Sequence, residues 1–238
     1  MALWHDIPYY NGSTDTYKGR ICYYGVVYDN VQLRYDQLKQ CVVVLTPVGN
    51  IYCVPEQEHI EWFEFDGHIY VHDPEDSSKY SALLCDGSTN GVRLYHSVWK
   101  VYRGDDTFGG NKYLKVLSTK EQYTLITSNG EKYHVKNASD VASFFPDQKK
   151  QIKQMAKQNH LSFSNSNRER SLMKVVESVS GTPITVSHFT STEEKETNTK
   201  TVPFIAPSTS TDDNNLIAGI PVLDNDSISK NIVAPRKK

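Results

Sequence analysis

Two imidazoles and a carboxylate make a plausible ligand set for a transition metal. His68 and His72 stand four residues apart, just ahead of the acidic run Asp73-Pro74-Glu75-Asp76. On a strand the two histidines share a face. At about 3.3 Å of rise per residue, however, they lie about 13 Å apart, too far for one ion unless the strand bends. No metal site is therefore assigned. Arg34-Tyr35-Asp36 places a guanidinium and a carboxylate two positions apart, and Arg103-Gly104-Asp105 spells the integrin-binding tripeptide. Gly-Asp is also ordinary turn chemistry, which is the reading expected of the second triplet. Phe108-Gly109-Gly110-Asn111 reads as a turn rather than a phosphate loop. The four cysteines, Cys22, Cys41, Cys53 and Cys85, form no Cys-x-x-Cys pair. Three of them sit in apolar strand-like runs and are expected as buried free thiols, one disulfide being the alternative in an oxidising compartment. No GxSxG, HExxH, Walker or GxGxxG motif is present, and no Cys or Ser pairs with a His by spacing. The expectation is a protein with no catalytic, cofactor-binding or metal-binding residue.

The whole-chain numbers narrow the classes further. The 238 residues carry 26 basic and 28 acidic side chains, a net charge of −2, which argues against a phosphate-backbone binder. The basic run "KKQIKQMAKQNHLSFSNSNRERSLMKVV" superficially resembles a helix-turn-helix, but a solvated basic face explains it more simply. No nucleic acid is expected as a partner. No apolar run approaches the roughly 20 residues of a membrane-spanning helix. The N-terminal stretch lacks the basic and apolar regions of a signal peptide. The 15 tyrosines serve either as the cover of a half-exposed sheet or as a stacking platform for a carbohydrate or small molecule.

These residues need a scaffold, and the chain has three textures. Residues 5–136 read as an antiparallel β domain. Val31, Leu33 and Tyr35 alternate with Gln32, Arg34 and Asp36, so Arg34 and Asp36 are expected on a polar face, solvent-facing or paired with a neighbouring strand, and Leu33 with Tyr35 in the core. "CVVVL" suits a strand covered on both sides. Turns are expected at Val48–Asn50, and hairpins at Asp66-Gly67 and Asn129-Gly130. Strands without intervening helices mean a β-roll, sandwich or barrel.

Residues 137–180 read as two or three helices forming a cap on that domain. Asn137 or Ser139 caps the first, whose apolar side carries Val141, Phe144 and Phe145. Pro146 opens the next, Ile152, Met155 and Ala156 form its stripe, and Asn159 ends it in the left-handed conformation. The last begins near Asn167 and shows Leu172, Val175, Val176 and Val179 on one face. Residues 181–238 are rich in Ser, Thr, Asn and Pro and read as a disordered tail. Within them Leu216, Ile217, Ile220 and Val222 form an apolar island that either has no role or adds a strand to a sheet edge.

Two stretches carry a family resemblance. "YDNVQLRYDQLKQCVVVL" runs into "HIEWFEF" and "HIYVH", and "EKYHVKNASDVASFFPDQKKQIKQMAKQNHLSF" precedes a last helix. Together, over residues 5–180, they resemble a group of poorly characterised secreted or outer-membrane-associated proteins of Bacteroidota-type bacteria. In that group a V-x-L-x-Y-D strand comes early, and a Y-x-V-K strand and a Phe-Pro helix start come late. The resemblance implies a periplasmic, outer-membrane-associated or secreted location, no known catalytic activity and no catalytic residue to carry over. The expected role is structural or in protein–protein interaction, with a protein partner, and the alternative is a ligand-binding module built on exposed tyrosines.

Overall fold

The structure is a computed structural model that describes residues 3–4, 6–46, 52–87, 91–108 and 112–180. The turn expected at Val48–Asn50, the glycine pair Gly109-Gly110, the tail 181–238 and its apolar island lie outside the described residues. Among the described residues, eleven strands belong to one large, open sheet, antiparallel but for one short pair. Helices follow toward the C-terminus. Of the roll, sandwich and barrel expected, the described strands show no closure into a barrel, the strands Leu3–Trp4 and Tyr52–Cys53 ending the strand order unpaired with one another.

The described residues divide into two compact units, one from those within 3–66 and 99–120, the other from those within 67–98 and 121–180. The first unit holds β1 (Leu3–Trp4), β2 (Tyr17–Tyr23), β3 (Val26–Asp36), β4 (Cys41–Leu45), β5 (Tyr52–Cys53) and β6 (Ile60–Phe65). They run antiparallel in the order β6-β2-β3-β4-β5. The short β1 pairs parallel to β10 (Lys112–Ile126), Leu3 opposite Leu114. Val42, Val43 and Val44 of β4 are all buried, as expected of a β-branched run covered on both faces.

Arg34 and Asp36 depart from expectation. Both are buried, at 4% and 5% exposure, like Leu33 and Tyr35 on the opposite face. The alternation places them correctly on the second face, but that face is not solvated. The irregular segment between β1 and β2 lies along it. Tyr9 bridges to Asp36, and the Gln37 N–H donates to the Pro8 carbonyl at 3.0 Å. The Arg34 guanidinium stands over the Tyr9 and Tyr52 rings, 4.9 and 4.4 Å from their centroids. It donates to the Tyr52 hydroxyl at 2.8 Å and to the Thr14 carbonyl. The Asp36 carboxylate accepts the backbone N–H groups of Leu38 and Lys39, both at 2.9 Å, and so shapes the β3–β4 turn. Lys100 holds the same segment by donating to the carbonyls of Ile7 and Tyr9.

The second unit holds β7 (His68–His72), β8 (Tyr80–Cys85), β11 (Lys132–His134) and three helices, α1 (Ala138–Phe144), α2 (Lys149–Gln158) and α3 (Arg168–Ser180). β9 (Arg93–Phe108) and β10 run through both units. Asp66 and Gly67, at φ 51° and 75°, make the turn expected of an Asp-Gly hairpin. The turn containing Asn129-Gly130 joins β10 to β11, Ile126 opposite Lys132. Asn137 caps α1 in a full capping box with Asp140. Pro146 begins a 3-10 turn that leads into α2. The residue that ends α2 in the left-handed region is His160, at φ 50°, one position later than expected. Asn159 keeps φ −86°. The His160 N–H donates to the Lys157 carbonyl and the Leu161 N–H to the Ala156 carbonyl, a complete Schellman closure with histidine where glycine is usual. Leu172, Val175, Val176 and Val179 of α3 are buried as the stripe requires, and α3 packs on β8.

Candidate functional site

Tyr23 opposite Val26 and Cys22 opposite Val27 close the β2–β3 hairpin around two residues, Tyr24 and Gly25. Their φ values are 51° and 70°, the signature of a type I′ turn. Gly25 suits it. Tyr24 does not, because positive φ crowds a Cβ against the backbone, and Asn, Asp or Gly normally takes that position. Burial does not compensate, since Tyr24 is 53% exposed. Val26 and Val27, at 44% and 38%, are exposed beside it. Of the four large hydrophobic side chains exposed among the described residues, three are therefore at this one hairpin tip; the fourth is Tyr102.

The tip is held rigidly by the turn at Gln57–His59. The Tyr24 N–H donates to the His59 carbonyl at 2.9 Å. Its ring stacks on the His59 imidazole at 3.9 Å and 23° and meets the Tyr23 ring edge-on at 4.8 Å. Its hydroxyl donates to Glu56 Oε2 at 2.6 Å. That hydrogen bond, more than burial, pushes the Tyr24 hydroxyl up to about 12. Glu56, Glu58 and Glu61 are exposed around it.

A second cluster stands in the other unit. Glu169 of α3 reaches His68 on β7 and His96 on β9, with Oε1 3.0 Å from His68 Nε2 and Oε2 2.8 Å from His96 Nδ1. The His96 ring stacks on Tyr123 at 4.0 Å and 9°. Its Nε2 lies 3.5 Å from Glu121, which also pairs with Arg168. Burial pushes the Glu169 carboxyl up, but hydrogen bonds and charge from the two histidines outweigh it and hold the group at about 2. The adjoining cleft, walled by Ile69, Leu83, Leu84 and Met173, has about 90 Å³, well below the size of ordinary ligand sites. Both oxygens of Glu169 are committed to imidazoles, and no hydroxyl or thiol lines the cleft. The cluster ties a helix to two strands.

The residues singled out by spacing scatter. His72 turns to the Ser77 carbonyl at 2.8 Å and does not join His68. Asp73 accepts the hydroxyls of Ser81 and Ser97. Among the described residues no three His, Cys, Asp or Glu side chains converge as a metal set. Arg103 and Gly104 lie within β9 and not at a turn. Cys22, Cys41, Cys53 and Cys85 are all free thiols. Eight tyrosines, among them Tyr35, Tyr80 and Tyr123, are buried in the core. The Tyr24-Gly25 tip had only a faint sequence signal, a lone glycine between two β-rich runs. The His68, His96 and Glu169 set had none, its members lying 73 and 101 positions apart along the chain. Among the described residues no helix is long and apolar enough to cross a membrane, which leaves strand-built spans unaddressed. Comparison with family models, with curated proteins and with solved structures found no match.

Proposed function

We propose that the chain is a non-enzymatic protein-interaction module that contacts its partner through the β2–β3 hairpin tip. One observation carries the reading. Tyr24 occupies a turn position that disfavours it and presents its ring to solvent. Its contacts with His59, Tyr23 and Glu56 hold the ring in place, and the half of its surface left in solvent is accounted for by contact outside the chain. Val26 and Val27, on opposite faces of the hairpin, extend the apolar surface to both sides of the tip, and stacking on His59 lowers the entropy cost of fixing the ring on binding. The envelope or extracellular setting rests on the resemblance of residues 5–180 given above. Site-specific photo-crosslinking in the native cell tests the proposal. A photoreactive side chain at Val27 is expected to give a discrete adduct, and one at the exposed Lys153 of α2 none. Equal labelling at both positions, or none at Val27, would overturn it.

A further inference from the structure

Charge around the tip narrows the partner. The stretches 24–29 and 56–61 contain Asp29, Glu56, Glu58 and Glu61 and no lysine or arginine. Asp29 faces Arg20 at 4.0 Å, and Arg20 is itself committed to Glu64, its Nη2 2.6 Å from Oε2. Glu56 holds the Tyr24 hydroxyl and lies 3.5 Å from His59. Glu58 and Glu61 are exposed and form no ion pair among the described residues. The tip is thus an apolar end, with Val26 and Val27 exposed on opposite faces of the hairpin, beside a set of carboxylates.

We infer that it docks a peptide segment of a partner protein in which aliphatic residues stand beside lysine or arginine. The inference rests on the reading of the tip as an interaction surface and adds its chemistry. Aliphatic side chains cover Tyr24, Val26 and Val27, while the cations meet Glu58 and Glu61, raising the encounter rate and rejecting acidic competitors. A second copy meeting tip to tip would bring the same glutamates face to face, which their repulsion opposes.

Three labelled octapeptides test it by fluorescence anisotropy against the full chain: alternating isoleucine and lysine, alternating isoleucine and glutamate, and alternating serine and lysine. The isoleucine–lysine peptide is expected to bind at least tenfold tighter than either of the others. Tyr24→Asn should weaken it at least fivefold. The double variant Glu58→Gln/Glu61→Gln should weaken it about threefold and reduce its salt dependence. Equal binding of the isoleucine–glutamate peptide would refute the role of the carboxylates while leaving the apolar tip in place. Equal binding of the serine–lysine peptide would refute the role of the tip. If no peptide binds while the Val27 adduct forms, the partner class is wrong and the interaction surface stands. A dimer abolished by Tyr24→Asn would make a second copy the occupant. Binding that emerges only when Lys230, Arg236, Lys237 and Lys238 are all changed to Gln would make the chain's own basic run the occupant. Either of the last two results overturns the inference.

Discussion

Replacing Arg34 by alanine tests whether a charged residue at a strand position that alternation assigns to solvent is part of the core. The side chain is 4% exposed and lies over the rings of Tyr9 and Tyr52, 4.9 and 4.4 Å from their centroids. Two buried cation–ring contacts contribute about 1 kcal/mol each. Hydrogen bonds from a charged donor to the Tyr52 hydroxyl and the Thr14 carbonyl add about 1.5–3 kcal/mol together once desolvation is counted. Truncation also leaves the carbonyl without its donor and opens a void. Arg34→Ala should therefore cost about 3–5 kcal/mol, or a fall in Tm of about 6–20 °C for a chain of this size. Arg34→Lys keeps the charge but loses the planar fork and should fall between. Urea unfolding followed by tyrosine and tryptophan fluorescence, with m compared across variants, reads the effect. A loss below about 1 kcal/mol for Arg34→Ala at unchanged m would mean that the guanidinium is solvated and the N-terminal segment does not cover that face.

Three further perturbations address other parts of the structure. Glu169 is held at about 2 by its two histidines against an ordinary glutamate value near 4.5. A depressed carboxylate contributes stability that is full above the ordinary value and lost as pH falls through the folded one. With the carboxylate 31% exposed, that contribution is about 1–2 kcal/mol. Glu169→Gln should lower stability by this amount at pH 7 and flatten the acid limb between about pH 4.5 and 2, while an unchanged limb would refute the tether. Gly19→Ala should unfold the first unit or cost more than about 3 kcal/mol, because a Cβ there collides with the Glu64 backbone carbonyl across the β2–β6 pair. Normal thermal stability of that variant would contradict the pairing. Burial pushes the thiols of Cys22, Cys41 and Cys85 up to about 12, so a thiol reagent at pH 8 should modify the partly exposed Cys53 first. Faster modification of any of the other three would refute that burial.

The local features of this fold were legible because local chemistry dictates them. Asp66-Gly67 fixes a turn, "CVVVL" a doubly covered strand, and the Leu172–Val179 stripe a packed helix face. What was not legible depended on distant chain. The alternation around Arg34 says which face each side chain takes, but only the placement of Pro8 to Asp15 decides that the second face is closed. Arg103-Gly104-Asp105 carries a turn-forming pair that the long β9 absorbs. Asn159 and His160 both tolerate the left-handed region, and the hydrogen-bond closure onto Ala156 and Lys157 chooses between them. The candidate site lay in a third category. Turn chemistry predicts Asn, Asp or Gly at position 24, so a tyrosine there hid the hairpin from a reading that follows preference, although the violated preference is itself what marks the residue.

The most direct measurement of the interaction surface pairs a photoreactive side chain at Val27 with Tyr24→Asn in the same chain. Asparagine favours the type I′ position but gives up the His59 stack and the Glu56 hydrogen bond, so the two effects offset and the variant should melt close to the parent temperature. If the tip docks a partner, the adduct from position 27 should fall at least tenfold in that background while the fold remains intact. An undiminished adduct from a stably folded variant would contradict the account. It would mean that Tyr24 is tolerated at the turn and is not used by it.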